Sequence, residues 1–165
     1  MKKLRILGVC AGQGALLFPF KKNLLGNIEI RGVFHTPGEE QWELNFGDIP
    51  FYKGFCLQEF DEKVDIIISS PDCGAASVMR LSKVKELGNP KDNRSLNLVI
   101  ASILEYKPKI FLIENLPRLL TLLPKDFFEE TFKDYKLVFH ERSGLEYRNY
   151  QESRKRLLII RIKKK

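Results

Sequence analysis

Six short apolar runs punctuate this chain: Leu4–Val9, Ile28–Phe34, Val64–Ser69, Ile110–Ile113, Lys136–His140 and Leu157–Ile162. Helical patterns lie between several of them, over Ala15–Leu25, Glu39–Leu44, Ser95–Tyr106 and Lys125–Phe132. Strand–helix alternation at this spacing predicts an α/β protein with a mostly parallel sheet covered on both faces. Pro37-Gly38 makes a turn before the second helix, and Pro124 is well placed to start the fourth. Residues 75–91 have weak periodicity and contain Gly88-Asn89-Pro90, so they read as a long loop directly after Cys73. Loops of this length inside compact domains are usually functional or disordered, and this one, directly following Cys73, is placed to close over a substrate. At 165 residues the chain fits one domain with a substantial core, 1–165, without repeats or low-complexity tracts.

Charge is unevenly placed. From His140 to Lys165 there are nine Lys/Arg against three Asp/Glu, whereas the first 139 residues hold nineteen against eighteen. The basic excess is a candidate phosphate-facing patch, with Lys163-Lys164-Lys165 read as a solubilising tail and Arg154 and Arg156 as part of the folded region. No apolar run approaches the roughly 20 residues that span a bilayer. Leu4–Val9 is too brief for a signal peptide and follows two lysines as a first strand. Three cysteines without paired spacing argue against a disulfide framework or a zinc site, and fit a reducing, cytoplasmic compartment.

Three places carry chemistry. Ser70-Pro71-Asp72-Cys73 follows the third apolar run, which presents a thiol at the carboxyl edge of the sheet, where α/β proteins keep their sites. Cys73 is the nucleophile candidate; Cys10 and Cys56, inside apolar segments, read first as small hydrophobes. Glu114-Asn115 ends the next strand, and carboxylates are rarely buried without a partner or a task. Cys10-Ala11-Gly12-Gln13-Gly14 joins the first strand to the first helix, where small residues let a ligand approach backbone N–H groups. His35, His140 and Trp42 read as structural.

In this order the patterns resemble the DNA cytosine-5 methyltransferase family over nearly the whole chain. Val9–Ala15 looks like the Phe-x-Gly-x-Gly cofactor loop, with Cys10 in place of Phe. Ser70-Pro71-Asp72-Cys73 looks like the Pro-Cys motif, with Asp72 where a second Pro is common. Asp92-x-Arg94 is similar to the motif after the catalytic loop, Glu114-Asn115-Leu116 to Glu-Asn-Val, and Arg154-Lys155-Arg156-Leu157 to Gln-x-Arg-x-Arg, with Gln151 one residue too far upstream. Asn45-Phe46-Gly47 resembles a segment recurring after the second strand.

The resemblance implies a Rossmann-like, three-layer S-adenosylmethionine-dependent methyltransferase fold. It implies Cys73, Glu114, Arg154 and Arg156 as catalytic residues, and Cys10, Ala11, Gly12, Gln13, Gly14 and Pro71 against the cofactor. Cys73 would add to C6 of cytosine while Glu114 meets N3, and Arg156 with Arg154 would steady the O2 side and the catalytic loop. A target base in a duplex must be flipped out, with residues 75–91 and the basic patch as candidate contacts. Three departures stand beside the match. No acid follows the second strand at Val33-Phe34-His35-Thr36-Pro37, leaving Glu39 or Glu40 as substitutes for the ribose contact. None stands at Lys53-Gly54-Phe55-Cys56 near the adenine, leaving Asp48 or the Asp65 strand. No separate target-recognition domain follows the Arg-x-Arg strand. The implied activities are a minimal, phage-type methyltransferase acting on DNA (RNA as a variant), or one subunit of a split enzyme. The alternative is an inactive methyltransferase-fold module that binds nucleic acid or a protein partner.

Overall fold

Adjacent residues of a strand face opposite sides of a sheet, and the apolar runs of this chain supply hydrophobic side chains to both. The computed structural model describes residues 4–12, 14–22, 28–34, 39–47, 49, 51–53, 63–73, 93–143, 146 and 155–163. Its strands are β1 (Leu4–Val9), β2 (Ile28–Phe34), β3 (Phe51–Lys53), β4 (Ile66–Ser69), β5 (Ile110–Asn115), β6 (Tyr135–Ser143) and β7 (Lys155–Lys163). Its helices are α1 (Phe18–Lys22), α2 (Glu39–Phe46), α3 (Arg94–Tyr106), α4 (Leu119–Leu122) and α5 (Lys125–Thr131). The described strands form one sheet in the order β3-β2-β1-β4-β5-β7-β6. β1 to β5 pair in parallel, and β7 runs antiparallel between β5 and β6.

Neighbouring residues divide between two cores. Ile6, Ile30 and Ile68 pack with Leu17, Trp42 and Phe46 on the side of α1 and α2. Leu7, Ile67 and Phe111 pack with Val99 and Ile103 of α3 and Phe128 of α5 on the other. The result is the expected three-layer α/β arrangement. Trp42 stacks on Phe46 with ring centroids 4.5 Å apart and donates its indole N–H to the Ile49 carbonyl, a packing role as expected.

β1 and β2 match the sequence reading end for end, whereas other elements differ for local reasons. Ala15, Leu16 and Leu17 form a turn bonded to the Gly14 carbonyl instead of opening a helix, so α1 starts at Phe18. Pro19 is tolerated there because first-turn N–H groups lack intrahelical partners. β6 and β7 extend past their apolar runs because the antiparallel ladder continues through polar residues to Ser143 and Lys155. β3, three residues long, and the single turn α4 are too short to leave a periodic signal. Residues 75–91, Pro37-Gly38, His35, Asp48 and Cys56 lie outside the described residues.

Asp65 sits immediately before β4, at the edge of the sheet opposite the strand ends that carry the motifs. Its carboxylate accepts from the Arg5 N–H (3.2 Å) and pairs with Lys109 Nζ at 2.9 Å. Its backbone N–H donates to Arg5 O, and its carbonyl accepts from the N–H groups of Lys109 and Ile110. One residue thus joins the starts of β1, β4 and β5, and the expectation that Asp65 substitutes for an adenine contact is overturned. Burial raises the Asp65 carboxyl, yet the Lys109 and Arg5 hydrogen bonds outweigh it and hold the group below its ordinary value.

At the far end of β7, Arg161 is fully buried. Its Nη1 donates to the Phe132 carbonyl at the end of α5 (3.0 Å), and its guanidinium lies 3.9 Å from the Tyr135 ring centroid. Burial pushes its pKa down to about 10.

A carboxyl with a depressed folded pKa stabilises the fold above its unfolded value and loses that contribution as pH falls through the folded one. Asp65→Asn should therefore cost about 1–2 kcal/mol at neutral pH. Urea unfolding should show the gap to the wild type narrowing towards about pH 3. Arg161→Ala should cost about 3 kcal/mol through the cavity it leaves, since the Phe132 carbonyl keeps the Tyr135 N–H, while Arg161→Met, which keeps most of the volume and buries no charge, should stay within about 1 kcal/mol. The same unfolding measurement checks both.

Candidate active site

Register decides which strand ends meet. Val9 pairs with Ser69, Ser69 with Ile113, and Asn115 with Leu157. One step beyond these pairs lie Cys10, Ser70 and, on the antiparallel strand, Arg156. The order of the strands reverses between β1 and β4, the switch point where open α/β sheets form their crevices.

Glu114 is the centre of the cluster. Arg156 Nε lies 2.6 Å from its Oε1, and Ser70 Oγ donates to its Oε2 at 2.6 Å. The Glu114 side chain is 17% exposed and that of Arg156 34%. Glu114 lies on β5, paired to a guanidinium, so the half-buried carboxylate has a partner as the sequence implies. With one donor per oxygen, the carboxylate keeps lone pairs for a further N–H. Arg156 Nη1 is buried and makes no hydrogen bond.

The residues around the thiol are held by backbone bonds. Asn115, buried, donates from Nδ2 to the Pro71 carbonyl (3.1 Å) and accepts the Leu116 N–H on Oδ1 (2.8 Å). The Asp72 N–H donates to Ser95 Oγ (2.9 Å), and Asn93 Nδ2 donates to the Asp72 carbonyl (2.8 Å). Cys73 follows as a free, half-buried cysteine.

The turn after β1 has left-handed backbone at Cys10 (φ 51°), Gly12 (φ 56°) and Gly14 (φ 81°). Its two glycines serve different needs. A Cβ on Gly14 would stand 2.1 Å from Phe46 Cε2, so Gly14 lets the turn pack on α2. A Cβ on Gly12 would meet nothing within 4 Å, which leaves an open face over the turn. Ala11 is buried beneath. Cys10 is buried as the apolar reading expects, but it also bonds: its carbonyl accepts the Ser70 N–H (3.3 Å) and its Sγ donates to the Ser95 carbonyl (3.7 Å).

The structure thus brings Cys10, Ala11, Gly12, Gly14, Pro71, Cys73, Glu114 and Arg156 to one edge of the sheet. Gln13 and Arg154, with Asp92 and Gln151, lie outside the described residues. Ser70, Asn93 and Ser95 are site neighbours that sequence reading does not single out. Asn93 has a recognisable signal, an Asn directly before a helix. Ser70 becomes visible only through its register with Glu114.

A sequence profile described as C-5 cytosine-specific DNA methylase matches residues 34–165. A protein named Type II methyltransferase M1.HgaI, from Avibacterium volantium, is 34% identical over 160 residues, covering 90% of this chain and 39% of its own. The methyltransferase EhMeth of Entamoeba histolytica superposes with a TM-score of 0.74 at 20% identity, covering 98% of this chain and 53% of that one. The Dnmt2 methyltransferase of S. pombe gives 0.70 at 18%, covering 97% and 49%. The chain therefore spans about half the length, or less, of these relatives, and nearly all of it is covered by the two structural matches. The profile takes in the thiol-bearing turn, the Glu114 strand and the Arg156 strand alike, and on that ground the chain belongs to the C-5 cytosine-specific DNA methylase family.

Proposed function

We propose that this chain carries out methyl transfer to C5 of cytosine in DNA, with Cys73 as the nucleophile. The observation that carries the reading is the Glu114 carboxylate, fixed between Arg156 and Ser70 at the strand ends beside the Pro71-Asp72-Cys73 turn. Carbon 5 of cytosine becomes nucleophilic only when C6 has been attacked. The Cys73 thiolate adds to C6, and the electron pair of the C5–C6 bond moves to C5. Glu114, protonated from solvent, passes that proton to N3 as charge builds on the ring, accepts the N3–H on a lone pair that Arg156 and Ser70 leave open, and takes the proton back when the ring is restored. The half-buried Arg156 guanidinium would stand towards the O2 side. After C5 has gained its methyl group, loss of the C5 proton to a base re-forms the double bond and expels the Cys73 sulfur.

S-adenosylmethionine, the methyl donor expected for this family, would supply an electrophilic methyl group. The turn at Cys10–Gly14 fits such a ligand: Gly12 is left-handed and open where a Cβ would stand. Ala11, Gly12 and Gly14, with Gln13 between them, are the residues that would lie along it, and Pro71 would flank it at the next strand end. Arg154, two residues before Arg156, would add a second cation on the DNA side.

The test is titration calorimetry with S-adenosylmethionine followed by trapping on 5-fluorocytosine DNA. Wild-type protein should form a covalent adduct that maps to Cys73, and Cys73→Ala should form none while still binding the methyl donor. A Cys73→Ala variant that methylates DNA at the wild-type rate would refute the mechanism. The two glycines should separate. Gly12→Ala should lose most donor affinity at a stability cost of about 1 kcal/mol from left-handed backbone. Gly14→Ala should cost about 2–4 kcal/mol through its collision with Phe46, read by thermal unfolding without ligand.

A further inference from the structure

The peptide just before Cys73 is gripped from both sides by the start of a helix. The Asp72 N–H donates to Ser95 Oγ at 2.9 Å. Ser95 Oγ passes its own hydrogen to Asn93 Oδ1 at 2.8 Å. Asn93 Nδ2 then donates back to the Asp72 carbonyl at 2.8 Å. The three bonds close a ring that satisfies both polar groups of the Asp72 residue with two side chains. The same Asn93 Oδ1 also accepts the Leu96 N–H (3.1 Å) as the N-cap of α3, and Ser95 is 4% exposed. α3 is anchored in the core by Leu96, Val99 and Ile103. The ring therefore ties Asp72 to a rigid element, leaving little freedom to the residue that follows it.

We propose that Asn93 and Ser95 are positioning residues that fix the Asp72 peptide and thereby set where the Cys73 thiol stands against its target carbon. Their contribution to chemistry, though not the ring itself, rests on the methyl-transfer reading above. An attacking atom must lie within a few tenths of an ångström of its productive place, and a misplacement of about 1 Å costs about 100-fold in rate. Asn93 and Ser95 act through the backbone of Asp72. Ser95 also accepts the Cys10 thiol on its carbonyl. The turn after β1 and the turn before Cys73 thus lean on one residue of α3.

Capping and clamping can be separated. Asn93→Asp keeps the oxygen that caps Leu96 and receives Ser95, replaces the donor to the Asp72 carbonyl by a carboxylate oxygen and adds a charge at the start of α3, so Ser95→Ala, which adds none, is the reference for the rate. Ser95→Ala removes the acceptor for the Asp72 N–H and leaves Asn93 capping the helix. Two measurements are made on each variant of the full chain: amide hydrogen exchange across residues 70–73 and 93–106, and the rate of adduct formation with 5-fluorocytosine DNA and S-adenosylmethionine.

In Ser95→Ala the Asp72 amide should exchange about tenfold faster with α3 interior amides unchanged. Both variants should form adduct about 10- to 100-fold more slowly at unchanged DNA affinity. Ser95→Thr, which restores the hydroxyl, should recover most of the rate. Wild-type adduct rates in both variants with Asp72 released would overturn the positioning role. Unchanged exchange at Asp72 in Ser95→Ala would overturn the ring itself. Exchange reads the ring without any methyl transfer. A wild type that shows a protected Asp72 and no adduct would therefore refute the functional reading and the thiol-positioning step together, while leaving the ring in place.

Discussion

Three strand ends at the motif-bearing edge are set by one aspartate at the opposite one. Asp65 accepts from Arg5 and Lys109 and bonds through its backbone to the first residues of β1 and β5. Parallel strands have evenly spaced hydrogen bonds, and a slip by one residue would turn every side chain to the other face. Locking three strand starts to one residue fixes three strand ends at once. That is why Cys10, Ser70 and Glu114, far apart in sequence, arrive side by side.

β7 completes the edge from the other direction. Because it runs antiparallel to β5, its beginning lies beside the end of β5, and Arg156 meets Glu114 there. The ladder also sets Arg142 opposite Arg156, an unfavourable pair if left alone. Each cation is drawn to its own carboxylate, Arg142 to Glu146 at 3.0 Å and Arg156 to Glu114. At the other end Arg161, on the same strand, sits in the core over Tyr135. One strand thus places guanidinium groups in two contrasting surroundings, a polar edge and a dry interior.

Much of this was legible in the sequence because long apolar runs and strand-end motifs are local signals. β1 and β2 were readable to the residue, and the thiol, the carboxylate and the arginine were each visible as a polar residue at the end of an apolar run. What escaped was cooperative. The role of Ser70 depends on β4–β5 register, which no single segment encodes. Asn93 reads as a helix cap, but the bonds from Asn93 and Ser95 to Asp72 exist only because α3 packs where it does. Asp65 reads as a ligand-contact candidate because an acid beside a strand looks the same at either end; only the strand's direction tells them apart. The short β3 and α4 are products of tertiary packing, without a pattern of their own.

The direction of β7 has a consequence for how such a chain can change. The chain turns back between Ser143 and Lys155, and that reversal falls at the edge that carries Glu114 and Arg156. Residues inserted there would add to that edge without interrupting the paired strands. Chain length can therefore vary at this reversal while the strands that carry Glu114 and Arg156 keep their register.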